Sequence, residues 1–298
     1  MTSAQHLRLA VDIGGTFTDT VLVNGGSKVL STTKTPTTPR QPALSALTGA
    51  EHVLGEAGAS WSDVQGFVHG TTLATNALIE QRGARVATIT TEGFRDILEI
   101  GYERRYSQYD INITKPDLLV PRRLSFTVGG RMDAQGVERV ALDEAAVPDL
   151  ALALQRSEVE AVAICLLHAY ANPEHETRLR DRLNALLPDL VISLSHEVSP
   201  EAREFDRLCT TVANAYIQPL MQTYLRDFAL RFQTAGLTCP IMMMTAGGGM
   251  TTVETAARLP VRLVESGPAG GAILASRIAE EINEKDILSF DMGGTTAK

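Results

Sequence analysis

LRLAVDIGGTFTDTVLV, residues 7–23, joins two β-prone segments through a glycine turn. The first segment alternates or runs apolar, Gly14 and Gly15 interrupt it, and β character resumes at Phe17. Such a pattern on both sides of a glycine pair predicts a strand, a tight turn and a second strand. Because another glycine turn and a third β-prone segment follow, we expect residues 7–34 to form an antiparallel meander at the edge of a mixed sheet.

A second copy of the turn sequence stands near the end of the chain. DIGGTFTD occupies residues 12–19 and DMGGTT occupies residues 291–296, and in both an apolar segment ends in Asp before X-Gly-Gly-Thr. One copy is typical of an ordinary hairpin turn, whereas two copies after predicted strands indicate a shared function. The strand before the second copy, predicted over residues 286–291, is expected to begin a second sheet. The chain contains no Walker-type P-loop pattern.

The residue types around both turns suit the binding of a phosphate group. Glycine lets backbone N–H groups converge on an anion because it has no Cβ, and threonine adds hydroxyl donors. Carboxylates repel phosphate, yet they can hold the hydrated Mg²⁺ that bridges nucleotide phosphates. We therefore predict that Asp12 and Asp291 are catalytic and hold Mg²⁺ through water. The predicted phosphate-binding residues are Gly14, Gly15, Thr16, Thr18, Gly293, Gly294, Thr295 and Thr296.

Predicted strands alternate with predicted helices over the rest of the chain, which is typical of an α/β fold. The longest predicted helix covers residues 201–233. Asp206 and Arg207 are neighbours on this helix, and we interpret them as an ion pair on its surface.

Composition argues against several classes of protein. A hydrophobic fraction of 44% and a charged fraction of 21% are ordinary for a globular protein, which argues against disorder and coiled coil. The net charge of −8 disfavours non-specific binding to nucleic acid. The longest apolar run, Ala161 to Leu167, is too short to cross a membrane. Three widely spaced cysteines form neither a disulfide framework nor a metal-ligand pattern, so we expect a cytoplasmic protein.

Nine strings of sequence, in order along the chain, carry a family resemblance. They are DIGGTFTD (12–19), HGTTLATNALIE (69–80), TEGFRDILEIG (91–101), LVPRR (119–123), LLHAYANPEHE (166–176), SLSHEVSPEAREFDR (193–207), NAYIQPLM (214–221), ESGPAGG (265–271) and SFDMGGTTAK (289–298). Together they resemble the hydantoinase A/5-oxoprolinase family, within the superfamily of actin-like ATPases with paired phosphate loops. The resemblance implies an α/β fold, namely an actin-like (ribonuclease H-like) ATPase lobe whose mixed sheets are flanked by helices.

A domain division is also implied by the resemblance. Residues 7–190 would be the hydantoinase/oxoprolinase N-terminal domain, and residues 200–298 would be the start of the nucleotide-binding domain. Because family members run well past this length, we expect the sequence to stop inside the second phosphate loop, at the start of the second lobe. The helix that begins near ESGPAGG would be the connecting helix before that loop.

The resemblance further implies ATP-driven chemistry on an amide or a carbonyl. In lactam-opening members, ATP phosphorylates the cyclic amide oxygen before water opens the ring; in carboxylase members, ATP activates a ketone enolate and bicarbonate. We expect the first activity, of the hydantoin or 5-oxoproline type, with ATP and Mg²⁺ as cofactors and a hydantoinase B-type partner subunit or domain. A ketone carboxylase subunit and a non-enzymatic actin-like ATPase module are the alternatives.

HGTT at residues 69–72 follows a short predicted strand and precedes a predicted helix. Thr72 stands where a helix cap is expected, which is one interpretation of the segment. In the other, the segment faces the phosphoryl-transfer cleft, so that His69, Thr71, Thr72 and Asn76 would lie near the substrate. Both interpretations are open on sequence alone.

Overall fold

The computed structural model describes residues 6–26, 28–38, 40–102 and 107–292. The strands are β1 (Leu7–Ile13), β2 (Phe17–Val23), β3 (Val29–Pro36), β4 (Val64–Thr71), β5 (Val86–Thr91), β6 (Ser125–Val128), β7 (Arg131–Met132), β8 (Glu138–Val140), β9 (Ala161–Cys165), β10 (Val191–Leu194), β11 (Ile241–Met244) and β12 (Met250–Thr252). The α-helices are α1 (Pro42–Glu56), α2 (Leu73–Ile79), α3 (Ile97–Ile100), α4 (Val147–Arg156), α5 (Glu174–Leu186), α6 (Ser195–Val198), α7 (Glu204–Ala235), α8 (Val253–Arg258) and α9 (Ser266–Ile282).

The chain folds into two compact units. Unit 1 contains residues 1–80 and 221–298, and unit 2 contains residues 81–220. This division is spatial, whereas the predicted domains 7–190 and 200–298 follow the sequence and stay a prediction. No helix in the described residues is long and apolar enough to cross a bilayer.

Unit 1 is built on a six-stranded mixed sheet in the order β12-β11-β4-β1-β2-β3. β1, β2 and β3 pair antiparallel, while β4 runs parallel to β1 and β11 runs parallel to β4. The predicted edge meander is therefore confirmed. α1 packs on β2 and β3, and α9 packs on β4 and β11. The predicted α/β class, with a mixed sheet flanked by helices, is confirmed, and the actin-like assignment of the lobe stays a prediction.

β1, the strand that leads into the first glycine turn, alternates buried and exposed residues. Leu7, Leu9, Val11 and Ile13 of β1 are buried, and the residues between them are exposed. One face of the strand therefore belongs to the core and the other is open, which leaves Asp12 on the open face.

Unit 2 contains a four-stranded sheet in the order β10-β9-β5-β6, and its strands are parallel throughout. Every residue of β9 is buried, as expected for a strand inside a parallel sheet. β7 and β8 form a separate antiparallel pair. The turn between them is closed by the amide of Gly136, which donates to the carbonyl of Asp133 at 2.9 Å.

The first and last segments of unit 2 are fastened together. The amide of Ala84 donates to the carbonyl of Tyr216 at 2.8 Å. A Cβ on the neighbouring Gly83 would lie 2.3 Å from the Tyr216 ring, so no other residue fits at this approach without displacing the ring.

Arg207 lies inside unit 2, so the predicted surface ion pair with Asp206 is wrong. Its side chain is fully buried. Nε donates to the Ser195 hydroxyl at 3.0 Å, Nη1 to the carbonyl of Glu201 at 2.6 Å and Nη2 to the carbonyl of Leu166 at 2.9 Å. The guanidinium fork thus fastens the end of β9 to the start of α7, which a surface ion pair would not do.

A buried carboxylate completes this network. Glu176 of α5 is fully buried, and its Oε1 accepts from the Ser195 hydroxyl at 2.6 Å and the Leu166 amide at 2.9 Å. Its Oε2 is 2.7 Å from Nδ1 of His196. Arg207 and Glu176 therefore share Ser195 as a common partner, and the polar groups of the network satisfy one another.

The strand predicted over residues 286–291 is not formed, and this corrects the expectation of a second sheet beginning there. The side chains of Leu288 and Phe290 are 91% and 71% exposed. An apolar segment becomes a strand only where a neighbouring strand accepts its ladder of hydrogen bonds. In the part of the chain that the structure describes, none pairs with this segment.

Candidate functional site

The first glycine turn connects the end of β1 to the start of β2 in the unit 1 sheet. The amide of Gly14 donates to the carbonyl of Phe17 at 2.9 Å and closes the turn. Gly15 and Thr16 lie at its tip and are exposed. Their amides donate to no acceptor within the described residues. Exposed N–H groups of this kind are available to an anion, as the sequence suggested.

Thr37, just after β3, stabilises the glycine turn by two hydrogen bonds to carbonyl groups of the turn. Its amide donates to the carbonyl of Thr16 at 2.9 Å, and its hydroxyl donates to the carbonyl of Gly14 at 3.0 Å. Because that hydroxyl proton is already used, the Thr18 hydroxyl is the donor in its 3.0 Å contact with Thr37. Thr18 is fully buried, so in this structure its hydroxyl stabilises the turn, and its predicted contact with phosphate stays a prediction.

Asp12 is the last but one residue of β1, directly before the turn. Its side chain reaches solvent, and it makes no hydrogen bond or ion pair with a described residue. Partial burial raises the pKa of its carboxyl group, and the negative charges of Asp19 and Asp291 raise it further, while Lys34 opposes them. An unpaired carboxylate among like charges is the electrostatic setting that a cation relieves.

Asp291 is therefore close enough to Asp12 for their charges to interact. The remaining predicted residues of the second loop, Gly293, Gly294, Thr295 and Thr296, lie outside the described residues. No three His, Cys, Asp or Glu side chains of the described part converge tightly enough to ligate a metal directly. The predicted holding of Mg²⁺ through its water shell is compatible with that spacing.

Gly70 leaves room for the carboxylate of Asp12 because it has no side chain. It lies opposite Asp12 on the parallel neighbour β4, and a Cβ there would be 2.7 Å from Oδ1 of Asp12. The carboxylate thus lies directly over this glycine. The contact between Gly70 and Asp12 depends on the pairing of β1 with β4, so it is not predicted from the sequence alone.

His69 belongs to the core. It is fully buried, its ring stacks on Phe228 with 4.2 Å between centroids, and Nδ1 donates to the carbonyl of Val11 at 3.1 Å. Burial lowers the pKa of the His69 imidazole to about 4, so it is neutral at physiological pH. Nε2 is then an acceptor, and the Tyr224 hydroxyl donates to it at 2.6 Å.

This series of hydrogen bonds continues to Thr71, the last residue of β4. Since the Tyr224 proton points at His69, the Thr71 hydroxyl must donate to the Tyr224 oxygen. The Thr71 oxygen in turn accepts from the amide of Leu73 at 3.2 Å. Each of these hydrogen bonds therefore has one defined donor and one defined acceptor. Burial, followed by the charge of Asp12, keeps the pKa of Tyr224 well above its usual value, so the tyrosine does not ionise.

Thr72 and Asn76 are half-buried at the start of α2. Thr72 stands at the cap position, but its hydroxyl makes no capping bond and lies 3.4 Å from the carbonyl of Ile13. Nδ2 of Asn76 lies 3.4 Å from that same hydroxyl. The pair therefore links α2 to the end of β1, beside the glycine turn.

Two family profiles match the chain. The hydantoinase/oxoprolinase N-terminal region matches residues 8–187, and hydantoinase/oxoprolinase matches residues 207–298. An uncharacterised protein of Methanocaldococcus jannaschii is 37% identical over 294 residues, covering 98% of this chain and 43% of that protein. Caprolactamase subunit alpha of Pseudomonas jessenii is 34% identical over 300 residues, covering 99% of this chain and 43% of that subunit.

Two solved structures are similar to nearly the whole of this chain. The crystal structure of ATP-dependent caprolactamase from Pseudomonas jessenii superimposes with a TM-score of 0.84 at 33% identity, over 97% of this chain and 43% of that one. The nucleotide-free structure of acetone carboxylase, from work on ATP-dependent acetone carboxylation, gives a TM-score of 0.88 at 27% identity, over 98% of this chain and 43% of that one. The chain thus spans 43% of the length of each relative.

Proposed function

The chain belongs to the hydantoinase/oxoprolinase family, and on this premise we propose that it supplies the first phosphate loop of an ATP-dependent hydrolase that opens small cyclic amides. The observation that carries the proposal is the unbonded pair of amides at Gly15 and Thr16 beside the unpaired carboxylate of Asp12. Amides offer donors to the phosphates, and the carboxylate offers a negative group to the cation that accompanies them.

In the proposed reaction, the oxygen of the cyclic amide attacks the γ-phosphorus of ATP, and ADP leaves. Water then adds to the activated carbon, and the ring C–N bond breaks with the amine as leaving group, which leaves an acyl phosphate. A second water attacks this acyl carbon and releases inorganic phosphate, which carries the former amide oxygen. The sum is ATP, lactam and two waters giving ADP, phosphate and an open-chain amino acid. Phosphorylation turns a resonance-stabilised amide oxygen into a leaving group, so the protein's task is to position the reactants and to balance charge.

The residues present fit Mg²⁺ held through water. Asp12 and Asp291 would hold it, since Asp12 is unpaired and Asp291 is near enough to add to its negative potential. When bound, the ion would supply neutralisation of the charge that grows on the transferring phosphate. The amides of Gly15 and Thr16 would bind phosphate oxygens, with Gly14, Gly293, Gly294, Thr295 and Thr296 completing the two proposed loops. Thr37 keeps the first turn rigid by its two bonds to Thr16 and Gly14.

Carboxylation of a ketone is the second candidate. It is favoured by the TM-score of 0.88 with acetone carboxylase, the higher of the two structural matches described above. Sequence identity ranks the relatives the other way, 33% for the caprolactamase structure against 27% for the carboxylase. We place the cyclic amide first because side chains, and not the backbone trace, discriminate between substrates.

The test is ATP turnover by the complete enzyme, meaning this chain with every further segment and subunit that it requires. ADP release should be stimulated by a lactam such as 5-oxoproline, hydantoin or caprolactam, with one open-chain product for each ATP. Stimulation by acetone or acetophenone with bicarbonate would instead establish the carboxylase. Turnover that ignores all of these and responds to a peptide would identify a non-enzymatic actin-like module.

We also propose a hydantoinase B-type partner subunit or domain, because the caprolactamase relative is by name an alpha subunit. A cytoplasmic location is proposed on the three cysteines, Cys165, Cys209 and Cys239, which are free thiols in the structure.

Alanine at Gly70 is expected to damage activity while the fold persists. Its Cβ would push against Oδ1 of Asp12, and the carboxylate can turn away at little cost to stability. A carboxylate displaced by about 1 Å should lower ATP turnover by about ten- to a hundredfold. The matched control is Gly66→Ala on the same strand, where the nearest atom to a Cβ is Cγ of Arg8 at 3.5 Å. Equal turnover in the two variants, measured beside their melting temperatures, would contradict the placement of Asp12 in the site.

A further inference from the structure

Three charged side chains form a line across the meander. Asp12 of β1 is paired in register with Asp19 of β2, and Asp19 is paired with Lys34 of β3. Residues directly opposite one another on antiparallel strands project from the same face of the sheet. The three groups therefore share the open face, in the order carboxylate, carboxylate and ammonium.

Two opposed carboxylates destabilise a sheet unless a cation compensates them. Lys34 supplies part of that compensation, because its Nζ is 2.8 Å from Oδ2 of Asp19. Its positive charge also opposes the rise in the pKa of the Asp12 carboxyl group, so it acts on both carboxylates. One ammonium at the end of the line thus offsets part of the charge of the two carboxylates.

The ammonium of Lys34 also lies close to the glycine turn. It is 5.4 Å from the centre of the Phe17 ring, and Phe17 is the first residue after the turn. The end of β3 is fastened to the turn by the bond from Thr37 to Thr16. The strand that carries Lys34 therefore keeps a fixed position relative to the free amides of the turn.

The ion pair between Lys34 and Asp19 is weakly held. The two side chains are 58% and 47% exposed, and a surface pair of this kind contributes between nothing and about 1 kcal/mol. A polyphosphate carries more negative charge than one carboxylate, and it makes stronger charge-assisted hydrogen bonds with an ammonium. An anion arriving at the turn should therefore compete successfully with Asp19 for this cation.

We infer that Lys34 is a further phosphate-binding residue of the first loop. When ATP binds, the Lys34 ammonium breaks its ion pair with Asp19 and binds the terminal phosphate of the nucleotide. The inference rests on the proposed function, since it requires ATP at this turn. Asp19 serves as the resting partner that keeps the ammonium extended beside the site. Lysine suits this role because its ammonium is a point charge on a flexible stem, free to exchange partners.

The experiment compares Lys34→Met, Lys34→Arg and Lys28→Met in the complete enzyme, with ATP and ADP as probes. Methionine keeps the length of the stem and removes the charge. Lys28 is an exposed lysine just before β3 whose side chain bonds to no described residue, so it is the matched control. We expect Lys34→Met to raise the KM for ATP about tenfold, the loss expected for one charge-assisted hydrogen bond. The inhibition constant of ADP should stay near its wild-type value, and Lys34→Arg should recover most of the ATP affinity.

Equal KM values for ATP in Lys34→Met and Lys28→Met would overturn the inference, and so would an equal loss of affinity for ADP and ATP. These results are separable from a failure of the proposed function. A complete enzyme that neither binds nor hydrolyses ATP overturns both proposals together. An enzyme that hydrolyses ATP, and in which Lys34→Met has the wild-type KM, overturns only the assignment of Lys34.

Discussion

Asparagine in place of Asp12 is expected to reduce substrate-coupled ATP turnover by about a thousandfold or more. The substitution keeps the shape of the side chain and removes its charge, so it tests electrostatics and not packing. Because the carboxylate has no described partner, its loss breaks no contact in the protein. Without it, charge that grows on the transferring phosphate is less well neutralised, at a cost on the order of several kcal/mol in the transition state.

The measurement is kcat for ADP release by the complete enzyme with its lactam, together with thermal melting of the variant. Melting should be unchanged or slightly raised, since like-charge repulsion with Asp19 is relieved. Asp19→Asn is the matched comparison on the neighbouring strand, and we expect it to lose less than about tenfold. If Asp12→Asn keeps most of its turnover, the proposed cation site is wrong. If Asp19→Asn alone abolishes turnover, the chemistry lies on the other strand.

Methionine in place of Arg207 is expected to lower the free energy of unfolding by about 3–5 kcal/mol, the usual cost of removing one partner from a buried charged network. Ser195 would lose a donor, the carbonyls of Leu166 and Glu201 would lose theirs, and the buried Glu176 would lose the nearby positive charge. Methionine replaces part of the volume but none of the hydrogen bonds.

Urea denaturation followed by circular dichroism measures this effect. Arg226→Met is the control, because Arg226 lies on the same helix, is exposed and has no described partner. We expect its unfolding free energy to stay within about 0.5 kcal/mol of the wild-type value. A loss in Arg207→Met as small as that in Arg226→Met would mean that the buried network contributes little to stability.

The sequence predicted the edge meander and the open turn because their signals are local. Alternation through β1, the glycine pair and the return of β character are all properties of neighbouring residues. The first phosphate loop is predicted on the same local signal, and its binding of phosphate stays a prediction. Gly70 is not predicted, because it reaches Asp12 only when β4 pairs with β1, a strand distant in sequence. Lys34 is not predicted, because its place opposite Asp19 depends on the register between β2 and β3.

The burial of His69 and Arg207 depends on tertiary contacts that local sequence patterns do not contain. His69 lies two residues from the buried Phe67 along β4, and strand alternation places both side chains on the inner face in the structure. Tyr224 and Val11 satisfy both of its ring nitrogens inside the core, and a role of this residue near the substrate stays a prediction. Charged side chains on helices are usually solvated, and this rule predicts Arg207 at the surface. Only tertiary structure supplies the three acceptors that make its burial favourable.

The hydrogen bond between Ala84 and Tyr216 bears on the order in which the chain folds. β4 and β11 are parallel neighbours in the unit 1 sheet, although all of unit 2 lies between them in sequence. Bringing these strands together across an unfolded intervening stretch carries the full entropy of closing a very long loop. A unit 2 that has already folded, with its ends joined, shortens that loop to residues 72–83 and 217–240. We therefore expect unit 2 to be the early folding nucleus, and its destabilisation to slow completion of the sheet that carries Asp12.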